Sequence, residues 1–238
     1  MAAHSDAIVQ NIARVRERIA RAAERAGRTA GEITLVAISK TCPAEAIRAA
    51  YEAGVRHFGE NRVQEFEAKS EKVRDLDVAW HMIGHVQSNK ARKVVELFSS
   101  VDSMDRLSIA GKLDGAVAES AAPEPLPVLI EVKLGGEASK SGVEQMGLAQ
   151  LAEGIVRSCP NLLLRGLMTI PPYADDPRRA RPHFEKLRQL RDQLSATIGL
   201  ALPVLSMGMT HDFEVAVEEG ATEVRIGTAI FGERRTPQ

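Results

Sequence analysis

The stretch ITLVAISK, residues 33–40, shows most directly how this chain is built. A strand of a parallel sheet is covered on both faces and appears as a near-continuous apolar run, and residues 33–38 fit this pattern. Lys40 follows at the carboxyl end of the predicted strand, where α/β proteins bind their ligands. A lysine there either pairs with a phosphate or carboxylate, or loses its proton and attacks a carbonyl as a Schiff-base amine. A solvated strand-end lysine is the simplest interpretation of Lys40 alone.

Seven further short strands are predicted, and helical segments separate them. They are residues 55–60, 78–84, 99–104, 128–134, 164–170, 204–208 and a strand within residues 223–231. Eight such units in 238 residues predict a closed (β/α)8 barrel, an α/β fold of the TIM type, with an open doubly wound sheet as the alternative. Because no linker or shift of composition divides residues 1–238, we predict a single domain.

An extra helix is predicted before the first strand, from residue 5 or 6 to residue 26. Its apolar residues recur at helical spacing, namely Ile8, Ile12, Val15 and Ile19. Three later helices are predicted over residues 61–73, 88–97 and 210–219. Their predicted N-caps are Asn61, Ser88 and Thr210.

The composition excludes several classes of function. The net charge is −1 and the pI about 6.6, and aromatic residues make up only 4%, so neither nucleic acid nor a membrane surface is expected as a partner. No apolar run approaches the roughly 20 residues of a membrane-spanning helix. The two cysteines, Cys42 and Cys159, are too few for a disulfide framework. We therefore expect a cytoplasmic protein.

Two adjacent strand ends carry small and hydroxyl-bearing residues. Residues 206–210 (SMGMT) follow the seventh strand, and residues 225–228 (RIGT) end the eighth. In a barrel these loops form the usual phosphate site, because glycine lets backbone N–H groups approach an anion and hydroxyls add donors. Ordinary turn chemistry is the alternative, with Gly208 making a bend and Thr210 an N-cap.

The eighth strand of a closed barrel lies beside the first. A phosphate held by the two strand ends would then lie within a cofactor's length of the Lys40 amine. Pyridoxal 5′-phosphate (PLP) is an aldehyde that carries a phosphate and binds lysine as a Schiff base, so it is the cofactor that this pattern favours.

Arg225 refines this prediction. It precedes Gly227 by two positions and therefore lies on the same strand face. An inward guanidinium could meet the pyridine nitrogen of PLP and leave it unprotonated, because arginine donates hydrogen bonds and keeps its own proton. The alternative for Arg225 is an ion pair at the barrel end, with Glu223 or Glu60.

Seven segments carry a family resemblance along nearly the whole chain, from residue 35 to residue 232. They are LVAISKT (35–41), FGENRVQE (58–65), WHMIGHVQSNK (80–90), SKSG (139–142), RGLMTIPP (165–172), LSMGMTHDFEVAV (205–217) and VRIGTAIFG (224–232). Together they closely resemble the pyridoxal phosphate homeostasis protein family, whose barrel is similar to the N-terminal domain of alanine racemase.

The resemblance implies a role for eight residues. Lys40 would be the Schiff-base lysine, and Arg225 would lie near the ring nitrogen. The residues implied around the phosphate are Ser206, Thr210, Gly227 and Thr228, with Asn61 and the backbone near Met209 as further contacts. Thr210 departs from the family, in which serine is common at this position, but the hydroxyl is kept.

The resemblance also implies a function without robust turnover. Racemases complete their site with a second domain and a tyrosine of a partner subunit, and this chain shows no sign of such a domain. We therefore expect a monomeric carrier that controls the level of PLP and hands it to apo forms of PLP-dependent enzymes. A minimal amino-acid racemase that uses Lys40 and Tyr173 is the alternative, and a Schiff-base aldolase acting on a phosphosugar is a third hypothesis.

Two other patterns fail as sites. Residues 135–141 (GGEASKS) superficially resemble a P-loop, but Ser139 stands where the glycine before the lysine is required. His81 and His85 are four residues apart on or just past a strand, a spacing of roughly 13 Å that is too long for one metal ion.

Overall fold

The computed structural model describes residues 2–120, 124–135 and 141–233, and its strands form a closed parallel barrel. Each strand pairs with the next along the chain, and the eighth pairs with the first, as Thr34 does with Glu223. The prediction of a (β/α)8 barrel is confirmed, and the open sheet is wrong. That residues 1–238 form one domain stays a prediction.

Most of the strands are shorter than predicted. The strands are β1 Thr34–Ile38, β2 His57–Glu60, β3 Ala79–Met82, β4 Ser100–Met104, β5 Leu126–Glu131, β6 Leu162–Met168, β7 Val204–Ser206 and β8 Glu223–Ile226. Strands β5 and β6 begin two residues earlier than predicted. Lys40 lies two residues beyond β1, at the carboxyl end of the barrel, as predicted.

The helices surround the barrel. They are α1 Ala2–Arg25, α2 Ala44–Glu52, α3 Val63–Ser70, α4 Ala91–Leu97, α5 Leu107–Ala118, α6 Leu148–Ser158, α7 Arg181–Ile198, α8 Phe213–Glu218 and α9 Thr228–Phe231. Short 3-10 turns precede three of them, at Ser88–Lys90, Gln145–Gly147 and Pro177–Ala180. The short helix α9 directly follows β8 and was not predicted.

The three predicted N-caps are wrong. The N-cap position of α3 is Arg62, because Asn61 still belongs to the loop, where its carbonyl oxygen would lie 2.1 Å from a Cβ at Gly84. Ser88 begins a 3-10 turn rather than capping α4. Asp212, not Thr210, holds the N-cap position of α8.

The predicted N-terminal helix, α1, packs on the outside of the barrel against α2, α8 and α9. All four of the apolar residues that predicted it are buried. Polar contacts add to this packing, since Arg18 lies 2.7 Å from Glu214 on α8 and the Asn11 amide donates to the Ile230 carbonyl of α9 at 2.8 Å. Helix α1 therefore spans the seam where β8 meets β1.

Aromatic side chains fix α3 and α4 to the outer face of the sheet. Phe66 of α3 packs on Trp80 of β3, with ring centroids 4.3 Å apart, and on Phe98, with centroids 5.2 Å apart. Phe58 of β2 completes the group against Trp80. Within the three described ranges, no helix combines the length and the apolarity needed to cross a membrane.

Candidate functional site

Lys40 lies in a tight turn that follows β1. The Cys42 N–H donates to the Ser39 carbonyl at 2.9 Å, which closes a β-turn with Lys40 and Thr41 as its two central residues. Thr41 has a φ of 66°, in the left-handed region that type II turns require at this position and that glycine or asparagine usually supplies. For a β-branched residue this conformation costs about 1–2 kcal/mol. The surrounding contacts must therefore hold the turn that carries Lys40.

The loops after β7 and β8 meet beside this turn. The Ala229 N–H donates to the Thr210 hydroxyl at 3.3 Å, so the two predicted phosphate loops are in contact. A Cβ placed on Gly227 would lie 3.5 Å from the Cβ of Ile38, two residues before Lys40. Gly227 is half-buried and Thr228 is exposed. The structure thus brings Thr210, Gly227 and Thr228 together next to the end of β1.

Gly208 shapes the loop after β7. Its φ is 93°, and an added Cβ would lie 2.6 Å from the Cβ of Ala216, so both conformation and space require glycine here. The Met209 N–H donates to the Asp212 carboxylate at 2.7 Å. Burial raises the pKa of Asp212. The Met209 N–H, which was predicted to lie near the phosphate, is therefore already paired with a carboxylate.

Arg225 points into the barrel and is 3% exposed. One guanidinium nitrogen donates to the Ser206 hydroxyl at 2.7 Å, and the other donates to the Thr169 carbonyl at 2.8 Å. Thr169 follows β6, which β7 separates from β8 in the barrel. The predicted inward orientation of Arg225 is therefore present in the structure. Within the described residues, Arg225 forms no direct ion pair with Glu60 or Glu223, and Ser206 lies between it and Glu223.

Ser206 lies inside the barrel rather than at its open end. Its hydroxyl donates to Glu223 at 2.6 Å and accepts from Arg225. Burial raises the pKa of Glu223, and the nearby Asp102 carboxylate adds to the rise. A contact between Ser206 and a phosphate stays a prediction, and its hydroxyl already bridges Glu223 and Arg225.

A buried polar chain continues below Arg225. The His81 Nδ1 lies 2.9 Å from Asp102, and its Nε2 lies 3.0 Å from the His57 Nδ1. Burial opposes the protonation of His81, but the Asp102 carboxylate outweighs it and raises the pKa of His81 to about 9. Burial and the charge of His81 lower the pKa of His57. A protonated His81 that donates to both Asp102 and a neutral His57 accounts for these contacts.

His81, Asp102 and Glu223 have donor atoms within 4.8 Å of one another and were not predicted as a group. Their positions could hold a cation. The protonated ring of His81 supplies the positive charge that such a cation would bring, because His81 already bonds Asp102 and its Nδ1 lies 3.9 Å from Glu223. These contacts favour a proton over a metal ion. The alternation of side chains along β8 was the available signal, since Glu223 shares its face with Arg225.

The charge of His81 predicts how stability depends on pH. Because its pKa rises from 6.5 to about 9 on folding, the stabilisation is complete below pH 6.5 and is lost as the pH rises through 9. We expect His81→Gln to remove about 3 kcal/mol of this pH dependence. Urea unfolding of both proteins between about pH 6 and about pH 9 measures it. Parallel curves for the two proteins would contradict the assigned charge.

The remaining predicted residues lie around the same end of the barrel. Asn61 is half-buried after β2, and its contact with a cofactor stays a prediction. Tyr173 is 76% exposed and packs on His211, with ring centroids 5.4 Å apart. His85 lies 3.2 Å from Asp105, in a contact separate from that of His81 with Asp102. Most of the P-loop-like segment, residues 136–140, lies outside the described residues.

Comparison with known proteins shows which family the chain belongs to. A sequence model of the family "Alanine racemase, N-terminal domain" matches residues 4–235. The chain is 48% identical to the "Pyridoxal phosphate homeostasis protein" of Aquifex aeolicus, with 95% of this chain and 98% of the relative covered. It is 49% identical to the protein of the same name from Pseudomonas aeruginosa, over 95% and 96% of the two chains.

A solved structure of a related protein agrees with these sequence matches. PipY of Synechococcus elongatus with PLP bound has a TM-score of 0.82 and 36% identity, over 94% of this chain and all of PipY. The resemblance predicted from the seven segments is therefore confirmed. The chain belongs to the alanine racemase N-terminal domain family and, within it, to the pyridoxal phosphate homeostasis proteins.

Proposed function

We propose that this protein binds PLP as a Schiff base on Lys40 and serves in its homeostasis without robust catalysis. The observation that carries the proposal is the position of the Lys40 turn beside Gly227, where β1 closes against β8. This position lets one ligand reach an amine and an anion site together. The family and the PLP bound to the PipY structure support the choice of ligand.

The residues present fit the two ends of such a ligand. The neutral amine of Lys40 adds to the aldehyde carbon of PLP, and loss of one water leaves a C=N bond that water can reverse. Gly227 offers backbone without a side chain, and the hydroxyls of Thr210 and Thr228 lie at the partly exposed end of the barrel. The backbone near Met209 and the side chain of Asn61 complete the proposed contacts.

Arg225 accounts for the proposed lack of robust turnover. A guanidinium beside the pyridine nitrogen keeps that nitrogen unprotonated, since it has a proton to donate and none to accept. An unprotonated ring is a poorer electron sink for a carbanion. The Ser206 hydroxyl and the Thr169 carbonyl hold the guanidinium, and the nearby Glu223 compensates its charge inside the barrel. The chain thus favours holding PLP over using it.

A carrier role follows from reversible binding at an open end of the barrel. A cavity of about 290 Å³ opens at the ends of β5 and β6, lined in part by Glu131, Leu134 and Ile170. We propose that the protein acts in the cytoplasm as a monomer and passes PLP to apo-enzymes. The racemase hypothesis requires Tyr173 to act on a substrate, and its exposed position against His211 gives no support to that role.

The visible spectrum of the purified protein tests the proposal. We expect a yellow protein that loses its colour with borohydride and carries the reduced adduct on the Lys40 peptide. A protein that stays colourless with added PLP would contradict PLP binding. An adduct formed only with a phosphosugar would favour the aldolase. Sustained α-deuteration of L-alanine in deuterated water would favour the racemase.

The phosphate contact of Thr228 predicts a ligand-specific defect. Thr228→Val keeps the shape of the side chain but removes its hydroxyl, and we expect PLP to bind about ten- to a hundredfold more weakly. Pyridoxal, which lacks the phosphate, should bind equally to both proteins. Absorbance titration with the two ligands measures this, with Thr197→Val on α7 as the matched control. Equal losses for PLP and pyridoxal would refute the phosphate contact.

A further inference from the structure

A lysine on α3 reaches the turn that carries Lys40. The Lys69 ammonium lies 2.9 Å from the Ser39 carbonyl oxygen and 3.4 Å from that of Cys42. These two carbonyls stand on either side of Lys40 and Thr41 in the chain. The Lys69 side chain is only 12% exposed, so these contacts are largely shielded from water. Lys69 therefore bonds both ends of the turn.

Two glutamates join Lys69 to the rest of the turn. Glu60 at the end of β2 lies 2.8 Å from the ammonium and also accepts from the Ser39 hydroxyl at 2.5 Å. Glu65 lies 3.5 Å from the ammonium and accepts from the Thr41 N–H. We call Lys69, Glu60 and Glu65 the turn clamp. Its members contact the residues before and after Lys40.

The backbone of the turn explains why a clamp is needed. Thr41 has a left-handed conformation that a β-branched residue avoids unless its surroundings impose it. Its N–H is held by Glu65, and the carbonyls on both sides are held by Lys69. Without these contacts the turn would relax to other conformations. The side chain of Lys40 would then point in other directions.

Helix α3, which carries Lys69 of the turn clamp, is itself packed firmly against the barrel. Phe66 of α3 is buried against Trp80 and Phe98, so Lys69, one turn further along α3, projects from a packed surface. Glu60 is fully buried, and its Oε2 is the one buried side-chain oxygen without a hydrogen-bond partner among the described residues. A buried ion pair contributes little net stability compared with apolar side chains of equal volume. Stability alone therefore does not account for this arrangement.

We propose that Lys69 is a positioning residue for Lys40, and that its contacts with Ser39, Cys42, Glu60 and Glu65 hold the turn in the conformation that presents the Lys40 amine to PLP. The inference rests on the proposed function. Lys69 does not itself react with PLP. Its effect is on how fast Lys40 forms and breaks the C=N bond.

Lys69→Met tests the proposal. We expect PLP still to attach to Lys40, but to attach about tenfold more slowly and to be released faster, because the turn samples other conformations. Stopped-flow absorbance gives both rates, and peptide mapping after borohydride gives the attachment site. Lys93→Met on α4 is the matched control, since Lys93 also pairs with two glutamates, Glu67 and Glu96, but does not contact the turn.

A double variant separates positioning from stability. Lys69→Met alone leaves Glu60 buried without its cation, so the protein loses stability for that reason as well. Adding Glu60→Gln removes this charge. We expect the melting temperature to recover in the double variant while slow attachment persists. Recovery of both the melting temperature and the attachment rate would overturn the proposal, because Lys69 would then only neutralise Glu60.

Two further outcomes are decisive. If Lys69→Met does not fold, Glu65→Ala takes its place, since Glu65 is partly exposed and contacts the Thr41 N–H. Normal attachment rates in a folded Lys69→Met or Glu65→Ala protein would overturn the positioning role. The wild-type protein reports on the proposed function separately: if it forms the Lys40 adduct, PLP binding holds whatever the variants do.

Discussion

Replacing Lys40 with alanine is expected to weaken the retention of PLP by about 100-fold or more. The reason is that the proposed C=N bond to Lys40 would be the covalent part of the interaction, and the proposed phosphate contacts are only partly shielded from water, since Thr210 and Gly227 are half-buried and Thr228 is exposed. PLP that remains should be lost on desalting. Absorbance and phosphate analysis of the desalted protein measure the loss.

A second lysine provides the control for Lys40. Lys133 follows β5 at the same end of the barrel and lies 3.1 Å from Glu144. Lys133→Ala should retain PLP like the wild-type protein. If Lys40→Ala kept its PLP through desalting, or if borohydride linked it to Lys133, the assignment of the Schiff base to Lys40 would be wrong. The melting temperature of Lys40→Ala without PLP should match that of wild-type protein without PLP, since Lys40 lies outside the barrel core.

Arg225→Met is expected to reduce the free energy of unfolding by about 3–5 kcal/mol. Arg225 is fully enclosed and donates to Ser206 and the Thr169 carbonyl, so methionine leaves both acceptors without their donor. It also removes one of the two buried cations that compensate Glu223 and Asp102, the other being His81. Urea unfolding at neutral pH measures the loss. Arg92→Met should change stability by less than about 1 kcal/mol, because Arg92 pairs with Glu119 on the exposed surface.

A second substitution identifies the cause of this loss. Glu223→Gln combined with Arg225→Met removes one of the uncompensated charges, so the double variant should be more stable than Arg225→Met. If Arg225→Met were as stable as the wild-type protein, the buried charges would not be coupled in the way described. A separate measurement, exchange of the α-hydrogen of L-alanine by Arg225→Met with PLP, shows whether the loss of Arg225 also increases carbanion chemistry.

The barrel and the position of Lys40 could be predicted because they depend on local patterns. The apolar run of residues 33–38 needs no knowledge of its neighbours, and the inward direction of Arg225 follows from strand alternation. The eight-strand count then places β8 beside β1 and brings Gly227 to the end of the strand that precedes Lys40. The pattern of strand ends already favoured PLP, and the family motifs added the roles of the individual residues.

The contacts that the sequence did not reveal join residues far apart in the chain. His81, Asp102 and Glu223 come from three different strands, and nothing within any one strand indicates that their side chains meet. The N-caps failed for a different reason. A polar residue before a helix is a candidate cap, but the loop after β2 continues for one more residue and the loop after β7 for two, so Asn61 and Thr210 stand too early.

The N-terminal helix α1 has a consequence for how the molecule opens. It packs on α2, α8 and α9, which follow β1, β7 and β8, the strands that bring the Lys40 turn and the two predicted phosphate loops together. Separating β8 from β1 requires α1 to detach from these helices first. The amide hydrogens of α1, β1 and β8 should therefore exchange with solvent as one cooperative unit. The first helix of the chain, which lies outside the barrel, thus governs the local unfolding of the ligand end.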